Sequence, residues 1–157
     1  MKKLFIIALI AIVAVSSAFA FKFVSIGVET GSGYHISADM EIIDNLDVYA
    51  RLGYIGAFGL STGAQYKVAE LKVSGTVLDV KPGAQMTFGF ADSTFMFGML
   101  ATCGFSFETG HFTAFVRPGL GFMTVSTKYY SYYEGRDVKS SNTSFNWVIE
   151  TGVAYLF

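Results

Sequence analysis

Apolar and polar residues alternate along most of this chain of 157 residues. In "GYHISADMEI", which begins at Gly33, the residues Tyr34, Ile36 and Ala38 fall on one face of an extended strand, and His35 falls on the other. The same alternation runs through "LDVYARLGY" from residue 46 and "VLDVKPGAQMTFGF" from residue 77. A period of two is typical of a β-strand with one apolar and one polar face. The pattern therefore predicts an all-β protein built from two-faced strands.

Turn-forming residues divide the chain into eight predicted strands. The turn signals are "GSG" at 31–33, "DN" at 44–45, "ADS" at 91–93 and "ETGH" at 108–111. The predicted strands span 21–30, 34–42, 46–57, 59–68, 77–91, 94–107, 111–126 and 144–157. The segment 69–76 fits either a turn or an extension of the fifth strand. "KPG" at 81–83 fits a turn that would give nine strands, but the alternation runs through it unbroken.

The apolar face is expected to point outward. The chain is 52% hydrophobic and 17% aromatic, and segments 94–107 and 111–126 carry nine large apolar residues on one face. The interior of an eight-stranded barrel is only wide enough for side chains, so these residues fit that lumen poorly. Hydropathy spread through short alternating segments is typical of membrane barrels. The predicted fold is a closed antiparallel up-and-down transmembrane β-barrel of eight strands.

The first twenty residues have the composition of a signal peptide. Lys2 and Lys3 precede an apolar run at 4–15, and the small residues Ala18 and Ala20 supply a cleavage site. An uncleaved anchor is the alternative, but it needs about 20 apolar residues. We therefore expect a signal peptide at 1–20, a barrel domain at 21–157 and export to the bacterial outer membrane. Without Lys2 and Lys3 the chain has more acidic than basic residues, which gives no case for a nucleic-acid partner.

The sequence resembles the small eight-stranded outer-membrane barrels of Gram-negative bacteria, of the outer membrane protein A, X and W types. The motif that carries the resemblance is the final "VAYLF", with Val153, Tyr155 and Phe157 at alternating positions. In those families a carboxy-terminal aromatic residue with a Tyr two positions before it is read by the barrel-assembly machinery. The resemblance implies that this machinery and the outer-membrane lipids are partners of the chain.

Charged and polar residues on the second face predict a network inside the barrel. Buried charges must be paired and hydrogen-bonded, so mixed signs indicate a filled lumen. A three-residue turn at 31–33 would pair Glu29 with His35, and the turn near residue 44 would bring Asp39 opposite or diagonal to Arg51. The network is expected to comprise Glu29, His35, Asp39, Arg51, Arg117 and Glu150.

Other residues of the inner face suggest a catalytic site or an apolar pocket. His35, Ser37 and Asp39 could suggest catalysis, because some outer-membrane lipid-modifying barrels use these residue types. Alternate residues of one strand lie about 6.5–7 Å apart, however, so a relay within this strand has poor geometry, and no enzyme activity, cofactor or metal is expected. An apolar pocket for small hydrophobic molecules would be lined by inward-facing Met96, Leu100, Phe115, Met123 and Val148.

The long polar segment 127–144 is expected to be an extracellular loop. Its side chains Tyr129, Tyr130, Tyr132 and Tyr133 suit the membrane interface or contact with an extracellular or host ligand. The preferred interpretation is a barrel with a filled lumen and a surface-contact role through this segment. A narrow conduit or pocket for apolar solutes is the alternative, and a lipid-modifying enzyme is a more distant one.

Overall fold

The computed structural model describes residues 23–29, 33–54, 58–73 and 76–156. Within these ranges the chain forms β-strands joined by short turns. The strands are β1 (Phe23–Glu29), β2 (Gly33–Ile43), β3 (Leu46–Tyr54), β4 (Phe58–Tyr66), β5 (Ala69–Val73), β6 (Thr76–Ala91), β7 (Thr94–Thr109), β8 (Phe112–Ser131) and β9 (Arg136–Leu156). The same ranges contain no helix long and apolar enough to cross a membrane.

The strands close into a ring. Each pairs antiparallel with its neighbours in the order β4-β3-β2-β1-β9-β8-β7-β6-β5, and a further pairing of β4 with β6 closes the circle. The short strand β5 continues β4 and pairs with the first residues of β6. Eight strands therefore form the wall, which confirms the predicted all-β, closed, antiparallel up-and-down barrel.

A bulge separates β4 from β5 and explains the ambiguity at 69–83. Gln65 pairs with Gly83 and Ala69 pairs with Val80, so three residues of one strand face two of the other. Pro82 is one of those two, and because proline has no N–H to donate, a break in the ladder suits it. The segment 81–83 is strand, as the alternation favours, and 69–73 extends the fourth strand rather than the fifth.

The register gives the barrel its tilt. A path that starts at Gly27 and steps from each residue to its paired partner on the next strand goes once around the ring and arrives on β9. It passes through Gly27, His35, Gly53, Gly59, Gly89, Met96, Val125 and Asn142. Gly27 itself pairs with Gly152 on β9, so the path returns ten residues away from its starting level. In an eight-stranded barrel a stagger of this size accompanies a strand tilt of about 35–45° and leaves an interior just wide enough for side chains.

The barrel has two unlike ends. The first residues of β1 and the last of β9 lie at the terminus end, together with two-residue turns at 44–45 and 110–111. Asn45 and Gly110 have positive φ angles of 69° and 59°, as tight hairpin turns require. The opposite end, here called the hairpin end, carries the connection from β8 to β9.

The segment expected as a loop at 127–144 is instead mostly paired strand. β8 continues to Ser131, β9 begins at Arg136, and Thr127 pairs with Ser140 in a ladder that reaches the turn. The alternation fades after Ser126, where the predicted strand ends, which is why the sequence did not indicate strand beyond it. In the described chain residues 128–139 have no ladder pairing to a third strand, and only the Lys128 N–H bonds outward, to the Ser93 carbonyl oxygen at 2.9 Å, so they form a protruding two-stranded hairpin.

The barrel is polar inside and apolar outside. Among the described residues, four buried side chains are apolar, whereas fifteen are polar or charged. The large apolar side chains lie on the outer face, as Ile26, Phe122 and Trp147 illustrate with exposures of 65%, 62% and 68%. A water-soluble domain has the reverse arrangement.

Candidate functional site

The middle of the lumen holds one carboxylate, Glu150 of β9, which contacts side chains from three other strands. Its Oε1 lies 2.9 Å from His35 Nε2 on β2, and its Oε2 lies 3.1 Å from Arg117 Nη1 on β8. Arg51 on β3 contacts the same Oε2 through Nη2. All four side chains are buried. Because a buried carboxylate needs compensating charge and hydrogen bonds, Glu150 links four strands across the lumen.

Arg51 extends this cluster toward the hairpin end. Its Nη1 lies 2.9 Å from Glu29 Oε2, and its Nη2 also donates to Gln85 Oε1 at 3.3 Å. Two arginines therefore face two glutamates in this cluster. Ion pairs of this kind hold buried charges that would be unfavourable alone.

Tyr49 of β3 fills the space beside the ion pairs and is only 1% exposed. Its hydroxyl donates to Gln85 Oε1 at 3.0 Å. The guanidinium carbon of Arg117 lies 4.2 Å from the centroid of the Tyr49 ring, a cation–π distance, and Arg117 Nη2 donates to Gln65 Oε1 at 3.2 Å. Tyr49 was not predicted as a site residue, although its position on the polar face between Asp47 and Arg51 was a usable signal.

Glycines on the inner face leave room for the large side chains. A Cβ added at Gly27 would lie 2.6 Å from His35 Nε2, and one added at Gly63 would overlap the ring of Tyr49. Both positions are inside the ring, where the strands converge on a narrow interior. Pairing a glycine with a ring on the neighbouring strand is therefore what allows the lumen to be filled without strain.

A second charged cluster lies at the terminus end. Lys81 Nζ is 2.9 Å from Asp47 Oδ2 and 3.7 Å from Asp79 Oδ2. Lys67 Nζ lies 3.6 Å from Asp79 Oδ1 and 3.6 Å from Glu70 Oε2, and both Lys67 and Glu70 are partly exposed. This cluster joins β3, the β4–β5 bulge and β6, and it is closer to solvent than the central one.

Two cavities lie on opposite sides of the central cluster. The larger has about 440 Å³ of empty space, part of it open to solvent, and is lined at the terminus end by Asp39, Asp47, Lys81, Ser106, Phe115 and Arg117, among others. The smaller has about 230 Å³ of empty space, part of it open to solvent, and is lined at the hairpin end by Glu29, Tyr34, His35, Arg51 and Ser61, among others. Arg51, Arg117, Glu150 and Tyr49 stand between the two spaces.

Five of the six residues expected in the lumen network are joined by the contacts described above, but Asp39 is not one of them. Asp39 is diagonal to Arg51 in the β2–β3 register, yet it accepts a hydrogen bond from Ser37 at 3.3 Å and lines the larger cavity. The expected pairing of Glu29 with His35 is wrong. Glu29 pairs with Gly33 and His35 with Gly27, so the β1–β2 register differs from the one that a three-residue turn at 31–33 would give.

The trio considered for catalysis is divided between two networks. His35 contacts Glu150, whereas Ser37 contacts Ser25 and Asp39. Within the described ranges no hydrogen bond joins His35 to Ser37. The arrangement resembles interior pairing rather than a nucleophile with its base, because a base must lie within hydrogen-bond reach of the nucleophile.

The residues expected to form an apolar pocket lie inside the barrel but do not surround a common space. Leu100 and Phe115 are buried, and Met96, Met123 and Val148 are half-buried. Only Phe115 lines either of the two cavities, and there it is accompanied by Arg117, Asp39 and Asp47. The remaining four fill the part of the lumen nearer the hairpin end, next to glycines such as Gly89 and Gly98.

The outward residues of the expected assembly signal lie at the terminus end. Val153 and Tyr155 are exposed on the outer face, and Tyr155 packs against Phe112 and His111 with ring centroids 5.4 and 6.0 Å apart. Phe157 lies outside the described residues, as does the expected signal peptide at 1–20.

The four tyrosines at 129–133 lie on the protruding hairpin. Tyr132 and Tyr133 occupy its tip, with exposures of 91% and 105%, and Tyr130 packs against Tyr132 at a centroid distance of 5.4 Å. Tyr129 and Tyr130 are on β8, where they pair with Val138 and Asp137. They are therefore held by strand pairing rather than by a loop.

The described part of the chain contains no group of three or more His, Cys, Asp or Glu side chains placed to hold a metal ion. No family model, curated protein or solved structure matches this chain. The arrangement of its residues is therefore the basis for proposing what it does.

Proposed function

We propose that this protein is an integral outer-membrane β-barrel whose lumen is closed by the Glu150 cluster and which makes its outward contacts through the 127–144 segment. The observation that carries the proposal is the inverted polarity of the barrel, with ion pairs inside and apolar side chains outside. A soluble monomer rarely exposes apolar patches larger than a few hundred Å². A wall whose outer face is mainly apolar below the hydroxyl pairs of β8 and β9 is compatible with hydrocarbon as its surroundings.

The closed ring supports a membrane location for a second, independent reason. Hydrocarbon offers no hydrogen-bond partner, so backbone groups at that depth must be paired within the protein. From β1 to β9 the eight wall strands each have two neighbours, and a closed barrel has no free edge in its paired region.

The outer-membrane address rests on the sequence. The lysines and apolar run of residues 1–15 resemble an export signal, and the barrel is similar in type to small outer-membrane proteins. An even number of strands keeps both chain ends on one side. In the proposed orientation, therefore, the terminus end faces the periplasm and the hairpin end faces outward.

The filled lumen favours surface contact over transport. Arg51, Arg117, Glu150 and Tyr49 stand between the two cavities, and all are buried. The residues considered for an apolar pocket do not line a shared cavity. Both cavities have charged side chains in their linings, which suits small hydrophobic molecules poorly, so the 127–144 segment is the proposed working surface.

The single tryptophan provides a direct test. Trp147 is 68% exposed on the outer face of β9, so in a membrane its indole ring should contact acyl chains. The purified protein is folded into phosphatidylcholine vesicles whose acyl chains carry bromine atoms, which quench tryptophan on contact. We expect strong quenching relative to unbrominated vesicles.

A matched variant shows whether the quenching reports position. Trp147→Phe combined with Tyr133→Trp moves the only indole to the fully exposed hairpin tip, where quenching should be nearly absent. Equal quenching of both proteins, or recovery of the wild type as a soluble monomer without detergent, would overturn the membrane assignment.

A further inference from the structure

Toward its tip, the outer face of β8 and β9 carries apolar, then hydroxyl, then charged side chains. The apolar pairs are Leu120–Trp147 and Phe122–Phe145. The hydroxyl pairs are Thr124–Thr143 and Ser126–Ser141, and the charged pair is Lys128–Lys139. Because side chains alternate along a strand, these pairs share one face. The apolar rings are more than half exposed, so this face is open to whatever surrounds the barrel.

The lysine pair is the unexpected element. Like charges directly opposite each other on neighbouring strands are destabilising, and this pair lies in a two-stranded hairpin, which is only marginally stable by itself. Neither lysine forms an ion pair in the described part of the chain. Asp137, the nearest acid on the same face, pairs with Tyr130 and makes no salt bridge to either lysine. Two facing ammonium groups without a counter-ion are suited to an anion.

The hydroxyl pairs beneath the lysines are hydrogen-bonded across the strands. Thr124 Oγ1 lies 2.8 Å from Thr143 Oγ1, and Ser126 Oγ lies 2.7 Å from Ser141 Oγ. Each pair uses one hydroxyl hydrogen internally, so one donor and several lone pairs per pair remain for a ligand. A double row of hydroxyls complements a sugar, which presents similar groups.

The height of the lysines matches a lipid headgroup. Ser126 pairs with Phe95 on β7, whose ring is exposed on the outer face, so the apolar boundary reaches the level of the hydroxyl rows. Lys128 lies two residues further, about 7 Å along the tilted strand. The headgroup zone of a bilayer is about 5–8 Å deep on each side, which places the lysines where phosphates lie.

We propose that this face binds a phosphorylated glycolipid of the outer leaflet. Its acyl chains would pack against Trp147 and Phe145, its sugar would bond to the hydroxyl pairs, and its phosphate would bridge Lys128 and Lys139. The inference rests on the proposed function, because it needs the barrel to be inserted with the hairpin end outward. It adds a defined anionic ligand and the residues that select it.

The test uses lipid A, whose sugars carry phosphates, as the probe. Wild-type protein in phosphatidylcholine vesicles is titrated with lipid A, with fully dephosphorylated lipid A of the same acyl chains, and with phosphatidylglycerol. Bound lipid is counted by native mass spectrometry after extraction into mild detergent. A lysine near an anionic membrane surface contributes about fivefold in affinity, so two lysines should give a preference of about thirtyfold for the phosphorylated form.

The matched variants are Lys128→Gln/Lys139→Gln and Lys72→Gln. Lys72 is exposed on β5 at the terminus end, so its variant should keep the preference, whereas the double variant should lose it. Lys128→Arg/Lys139→Arg should also keep it. Heat-modifiable gel migration checks that every variant is folded.

Several outcomes would overturn the inference while leaving the proposed function intact, provided Trp147 is still quenched by brominated lipid. They are equal binding of both forms of lipid A, equal binding of phosphatidylglycerol, retention of the preference in the glutamine double variant, and displacement of lipid A by an equal concentration of inorganic phosphate. If Trp147 is not quenched, both proposals are wrong.

Discussion

Arg117 lies on the face of the Tyr49 ring, with its guanidinium carbon 4.2 Å from the ring centroid. The two residues belong to β8 and β3, which are not neighbours in the ring of strands. The contact therefore crosses the lumen, and together with the Arg117–Glu150 ion pair it fills the middle of the barrel. The predictions below test what this filling contributes.

Glu150→Gln should destabilise the barrel strongly. The change removes the carboxylate shared by Arg51 and Arg117 and leaves both guanidinium groups buried with fewer acceptors, which costs about 3–5 kcal/mol of unfolding free energy. Urea unfolding in detergent micelles measures the loss. Glu134→Gln is the control, since Glu134 pairs with exposed Arg136 at the hairpin tip and should cost at most about 1 kcal/mol. Equal losses in the two variants would contradict the central role of Glu150.

Tyr49→Ala should open a path through the lumen, and Tyr49→Phe should not. The alanine variant removes a buried ring from between the two cavities, whereas the phenylalanine variant loses only the hydrogen bond to Gln85, worth about 1 kcal/mol. Planar-bilayer recordings should show no steps for wild type or Tyr49→Phe and small ion-conducting steps for Tyr49→Ala. Steps of similar size in wild type would mean that the cluster does not close the lumen.

Gly27→Ala should lower the yield of folded protein. The new Cβ would lie 2.6 Å from both His35 Nε2 and the carbonyl oxygen of Thr151, so the ring and the β1–β9 ladder must both shift. Gly98→Ala is the matched control, because its Cβ would meet its nearest neighbour at 3.4 Å, an ordinary contact. Refolding yield in micelles, measured by heat-modifiable migration, should fall for Gly27→Ala alone.

Removing residues 128–139 and joining Thr127 to Ser140 through an Asn-Gly turn should leave the barrel intact. Apart from a hydrogen bond from the Lys128 N–H to the Ser93 carbonyl oxygen, these residues pair only with one another in the described part of the chain, and a two-stranded hairpin adds little stability to the rest of the fold. We expect unfolding free energy in micelles within about 1 kcal/mol of wild type. In the intact protein, hydrogen exchange should be faster at Tyr129 and Val138 than at Arg117 and Glu150. Slow exchange at Tyr129 would indicate that a further element covers the hairpin.

The period-two pattern by itself determined the all-β class, the barrel and the direction of each face. Strand bounds such as 46–54 and 94–109 lie within three residues of those expected, because alternation and turn residues act locally. The pattern also placed Glu29, His35, Arg51, Arg117 and Glu150 inside. The pattern did not show which of these side chains contact one another.

Partner choice was decided by the tertiary structure. Arg51 contacts Glu150, ninety-nine residues away, rather than Asp39 on the adjacent strand, because the stagger of the closed ring sets which side chains share a level inside it. Pairing of β8 with β9 beyond the ring extended β9 to Arg136 and turned an expected loop into a hairpin. Alternation reports the two faces of one strand, whereas contacts across a lumen depend on the tilt and register of all eight, which exist only once the ring is closed.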